Sequence, residues 1–219
     1  CTIVSSTGAD VTSSYEITYV DAQGDISPAG VTVTADDKSV TFGDAAPSYT
    51  FSATGFIGSD DFTTDPTCTS TYTSSTPVSA SPVAISCSGG VAGSNYDVSY
   101  VDGDLSIGQA TVTITADYKS VTYGDAAPTY TYSVSGLTGT DVITTEPTCT
   151  SSYAAGTPVS ASPLAISCSG AAAGPAVGPT VPVDNYNFVY NDGDLTIGQA
   201  TLTVTADDKG PIEIGRAHV

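Results

Sequence analysis

The 219-residue chain is poor in positive charge: four Lys and Arg stand against 23 Asp and Glu, for a net charge of −19. A surface this acidic repels phosphate, which argues against nucleic acid and anionic membranes as partners and keeps a long chain soluble. Imidazole is nearly absent. The one histidine, His218, lies among the last residues, so the usual Ser–His and Cys–His catalytic pairings have nothing to build on. No run of about 18 apolar residues exists, so no membrane insertion is expected of this segment. Nor does any stretch hold a 3.6-residue apolar period, and helix content should be low.

What is present is a repeat. Val31 to Pro47 aligns with Val112 to Pro128, at an offset of 81 residues. The match continues through Pro66-Thr67-Cys68-Thr69 against Pro147-Thr148-Cys149-Thr150, and through Ile85 to Gly89 against Ile166 to Gly170. Nine extra residues then precede Asn185-Tyr186, the counterpart of Asn95-Tyr96. A further copy begins at Leu202, and Tyr15 to Val20 match Tyr96 to Val101 as the tail of an earlier one. The expected organisation is a truncated repeat at 1–29, complete repeats at 30–110 and 111–200, and the start of another at 201–213. Residues 214–219 break the pattern and read like the translation of a sequencing adapter. On that reading Arg216 and His218 are not native and carry no functional argument.

The five cysteines follow the repeat. Cys68 and Cys87 lie 19 residues apart, as do Cys149 and Cys168, while Cys1 takes the second-cysteine position of the truncated copy. One disulfide per repeat, Cys68–Cys87 and Cys149–Cys168, is expected; closing such a loop is worth about 3 kcal/mol in the chain-entropy model. It implies an oxidising compartment. A zinc site is the rival, but close Cys-x-x-Cys spacing and a native histidine are both missing.

Period-two alternation runs nearly throughout. Val112 and Ile114 alternate with threonines, Tyr130, Tyr132 and Val134 with Thr131 and Ser133, and Tyr96, Val98 and Tyr100 with Asp97 and Ser99. Such strands bury one face and show the other to water. Gly43-Asp44, Asp102-Gly103-Asp104 and Gly124-Asp125 supply turn chemistry between them. Only Gly108-Gln109-Ala110-Thr111 separates one copy's last strand from the next copy's first. So short a link leaves little swing, and an end-to-end rod is expected. The segment after the second cysteine varies in length and is Ala- and Pro-rich at 171–184, which reads as a surface loop.

Lys119-Ser120-Val121-Thr122-Tyr123-Gly124-Asp125-Ala126-Ala127-Pro128, followed by Tyr132 to Leu137, resembles the MBG domain of the YGX type, and Phe42-Gly43-Asp44 is a softer copy of that signature. The resemblance covers nearly all of 1–213. It implies an all-β fold of tandem small modules, β-grasp-like or immunoglobulin-like, in an extracellular bacterial surface or secreted, adhesin-like protein. The function it implies is a stalk or spacer partnered by neighbouring repeats. The alternative is a glycan- or protein-binding module using the variable loop after the second cysteine.

No catalytic residue is expected: both complete repeats carry the same residues, whereas a catalytic site is usually single. No resident cofactor is expected either, with calcium the one open option. Asp102 and Asp104 could meet Asp117 or Asp125 at a joint, and Asp192 and Asp194 could meet Asp207. Calcium wants six to eight oxygens at one point, yet Asp-Gly-Asp is also an ordinary turn. Lys38 and Lys119 recur at one position and raise the idea of a Lys–Asn cross-link, but lysine in a turn-like stretch is ordinarily exposed. The Thr-x-Thr rows, which could suggest an ice-binding face, are the usual solvent side of a strand.

Overall fold

The structure, a computed structural model, describes residues 4–16, 18, 24–176, 184–207 and 210. Cys1 and the 214–219 tail lie outside them. In the first repeat the alternating segments form β1 (Ala29–Ala35), β2 (Lys38–Thr41), β3 (Phe51–Thr54), β4 (Thr67–Ser70), β5 (Val83–Ser88), β6 (Tyr96–Val101) and β7 (Gly103–Gly108). They make two sheets, ordered β3-β1-β6 and β2-β7-β5-β4. The inward residues of β1 face those of β5 across the core, and Val31, Val33, Ile85 and Leu105 are fully buried. Threonine and serine occupy the alternate, wetter positions, as period two requires.

The second repeat rebuilds this with β8 (Ala110–Ala116), β9 (Lys119–Thr122), β10 (Tyr132–Ser135), β12 (Thr148–Ser151), β13 (Leu164–Ser169), β15 (Tyr186–Asn191) and β16 (Gly193–Gly198). Its sheets are β10-β8-β15 and β12-β13-β16-β9. It adds a ribbon of β11 (Asp141–Thr145) with β14 (Ala172–Pro175). The only helices among the described residues are three-residue 3-10 turns. Each repeat is thus an all-β module of two sheets.

Two features differ from the sequence expectation. First, Asp102-Gly103-Asp104 is no hairpin turn. β1 runs on into β2 and β6 into β7, each crossing from one sheet to the other, and the two bent strands pair in parallel with unbroken register, from Ala29 opposite Tyr96 to Thr41 opposite Gly108. Gly103 is needed at the crossing because a Cβ there would lie 2.5 Å from the Ala35 carbonyl oxygen. The Asp37 carboxylate then accepts the Asp104 N–H at 2.8 Å. Second, part of the variable segment is strand. In the first repeat Thr64 and Val91 make a single bridge; in the second the equivalent Thr145 and Ala172 open the β11–β14 ribbon. Small Ala and Gly side chains let the inserted backbone lie against β11 and satisfy its hydrogen bonds there instead of in water.

Candidate functional site

A cluster of polar and aromatic contacts lies where the first repeat meets the second. It starts from the Gly-Asp turn after β2. Asp44 Oδ2 accepts the Thr41 N–H at 2.9 Å and the Asp44 N–H donates to the Thr41 carbonyl at 3.0 Å. Gly43 takes φ +93°, which a side chain would disfavour. The buried Tyr72 hydroxyl donates to the Asp44 carbonyl at 2.9 Å and pins the turn to the sandwich. Burial, then the nearby Asp44 carboxylate, push the Tyr72 hydroxyl above the usual tyrosine pKa. The Phe42 N–H donates to the Gly108 carbonyl at 2.8 Å. That bond holds the Phe42 backbone just beyond the end of β2, beside the link to the second repeat.

The second repeat receives it. Phe42 meets the Tyr186 ring edge to face, with centroids 5.5 Å apart and planes at 86°. Such a pair adds about 1 kcal/mol beyond area burial. The Tyr186 hydroxyl donates to Asp141 Oδ2 at 2.6 Å and accepts the Thr138 N–H at 3.2 Å, with the Thr138 hydroxyl at 2.8 Å. Burial, then that bond to Asp141, raise its pKa. Gly43 comes so close to Thr138 that a Cβ would sit 2.5 Å from Thr138 Cγ2. Beside them Asn185, the only buried polar residue among those described, uses Oδ1 to accept the Val78 N–H at 2.9 Å, at the head of the 3-10 turn Val78–Ala80. Gln109 in the link donates to the Asp184 carbonyl at 2.8 Å. One hydrophobic cluster therefore runs through both repeats, from Val33 to Ile197, with Phe42 and Tyr186 inside it.

Sequence reasoning matched Phe42 with Tyr123 and Tyr186 with Tyr96 as repeat positions but assigned them no role. The signal was available: an aromatic fixed beside Gly-Asp, an Asn-Tyr pair in both complete copies, and a very short link. Periodicity misses it because Phe42 and Asn185 lie outside the strands.

The residues singled out from sequence are placed as follows. Cys68 and Cys87 are directly opposite on β4 and β5 and are bonded, Cα atoms 3.9 Å apart; Cys149 and Cys168 are bonded likewise on β12 and β13 at 4.0 Å. Asp104 is brought to Asp37 inside its own repeat, at the crossing, which is the far end of β7 from the joint. Asp125 is brought to Thr122, its carboxylate accepting that N–H at 3.0 Å, and Asp117 to Thr131, whose hydroxyl donates to it at 2.5 Å. Asp102, Asp192, Asp194 and Asp207 are exposed. Among the described residues no three of His, Cys, Asp and Glu gather as a metal would require. Lys38 Nζ donates to the Thr50 hydroxyl at 2.8 Å, and that hydroxyl donates to Asp36 at 2.5 Å. Of the variable segment, 177–183 lie outside the described residues. No helix of those described is long and apolar enough to cross a membrane.

Against known proteins, the family model described as MBG domain (YGX type) matches residues 31–106 and 112–196. Comparison with curated proteins and with solved structures gives no match.

Proposed function

The chain belongs to the MBG domain family of the YGX type, and from that membership we propose that it is a non-catalytic stalk or spacer segment of an extracellular bacterial surface or secreted, adhesin-like protein. The joint carries this reading. A link of one residue between β7 and β8, an aromatic knob seated on Tyr186, and a side-chain cap from Asn185 to Val78 are what a chain needs to hold two modules at a set angle. The disulfide in each repeat supports an oxidising compartment. Small-angle scattering of the dilute chain is the test. An elongated particle of fixed maximum dimension, broadening in Phe42→Ala, supports a spacer; a compact particle overturns it.

A second reading rests on the β11–β14 ribbon, which the second repeat has and the first reduces to one bridge. A module that binds glycan or protein would place its contacts there, since length variation concentrates on surfaces free of packing duty. Binding to a glycan array that disappears on trimming 171–184 would favour it.

A further inference from the structure

The segment after the second cysteine of the second repeat reaches the joint from two sides. On one side it acts through β11, whose first residue is Asp141. The Asp141 N–H donates to the Thr138 carbonyl at 3.1 Å, and its carboxylate takes the Tyr186 hydroxyl. Thr138 and Tyr186 meet Gly43 and Phe42 of the first repeat. On the partner strand Pro175 stands opposite Asp141, Gly174 opposite Val142 and Ala173 opposite Ile143. Ala171, just before β14, donates its N–H to the Tyr190 hydroxyl at 2.9 Å, which ties the strand to β15 as well. On the other side Asp184 is held by Gln109 and Asn185 by Val78.

The ribbon has two unlike faces. Ile143 and Ala173 pack against the core cluster that both repeats share, while Val142, 41% exposed, and Pro175 lie outside. A strand of Ala, Ala, Gly and Pro brings little apolar area of its own. What it supplies is a set of backbone partners, which fix β11 in one extended course. Without them Asp141 would stand at the edge of a loop and could give up Tyr186 to water.

We infer that the β11–β14 ribbon is a brace for the joint: pairing with β14 holds Asp141 against Tyr186 and sets how firmly the second repeat grips the first. The brace rests on the spacer reading. It gives the varying segment a use that needs no ligand, since a chain of like repeats can carry joints of unlike stiffness.

The Val78 N–H reports on the brace from the other repeat. Its acceptor is Asn185 Oδ1, across the joint, whereas Ala80 and the capping Ser81 of the same 3-10 turn donate to Pro77 and Val78. Amide hydrogen exchange of the full chain, in the parent and two variants, is the test. Asp141→Ala cuts the tie to Tyr186 and leaves β14 alone. Ala172→Pro with Ala173→Pro leaves Asp141 and removes two successive strand donors, one of which faces β11. Each variant should lower the protection of Val78 by at least about tenfold, the worth of one hydrogen bond to a charged group, while Ala80 and Ser81 keep theirs. The double substitution acts through Asp141, so adding it to Asp141→Ala should lower Val78 no further. Val78 protection equal to the parent's in either variant overturns the brace. So does a fall that Ala80 and Ser81 share, which would mean that the turn itself has loosened, or a further loss when the changes are combined. Dilute scattering separates the two proposals: an elongated chain whose Val78 protection ignores the ribbon loses only the brace, and a compact chain loses the spacer.

Discussion

Asn95 and Asn185 share a position in the repeat and differ only in what surrounds them. Asn185→Ala leaves the Val78 N–H without its acceptor inside a packed joint, which costs about 1–2 kcal/mol. Asn95→Ala changes an exposed side chain and should stay within about 0.5 kcal/mol of the parent. Guanidinium denaturation of both variants reads the difference. Four tyrosines give a second expectation. Tyr72, Tyr153 and Tyr186 are raised mainly by burial and Tyr96 mainly by its bond to Asp60. Unfolding returns each to the ordinary value near 10, so above that pH the unfolded chain has shed protons the folded chain still holds. Their contribution is complete below about pH 10 and is lost as pH rises through the folded values. Stability measured on an alkaline series should fall there, and fall less in Tyr186→Phe.

Glycines at the strand crossings are the clearest test of the elements. Gly103→Ala and Gly193→Ala each push a Cβ to 2.5 Å from a backbone carbonyl oxygen, of Ala35 and Ala116. Gly108→Ala meets nothing closer than 3.7 Å. Overpacking against backbone costs about 1–3 kcal/mol, so thermal melting should drop for the first two and hardly move for the third. This crossing also marks where sequence reasoning stops. Alternation identified β6, β8 and β10, because period two says which side chains face inward. It does not say which strand lies alongside or in which direction, so the parallel pairing of β1 with β6 was illegible. The cysteines were legible because two equal separations in two copies point to the same pairing. Phe42 and Asn185 were not, because their burial comes from the neighbouring repeat and leaves no period in their own.

Across the whole molecule the shared core decides how the repeats unfold. When modules stack, stability is the sum of each module and its interface. With Phe42 buried between the repeats, the parent should melt in one calorimetric transition. Phe42→Ala removes a core aromatic, worth about 3 kcal/mol, and should split the transition into two. A single transition in that variant would mean that the joint couples the repeats by some other contact.

The parallel strands have a mechanical meaning. The chain enters each sandwich at the start of one bent strand and leaves from the opposite end of the other, its hydrogen-bonded neighbour. Tension along the chain therefore drags the two past each other lengthwise, and every rung between them is strained together; none can be peeled open singly. The cross-link between β4 and β5 lies off that path and withholds 19 residues from extension. On a pulling instrument each repeat should give way at high force, and reduction should lengthen its release by about 65 Å at ~3.4 Å per residue.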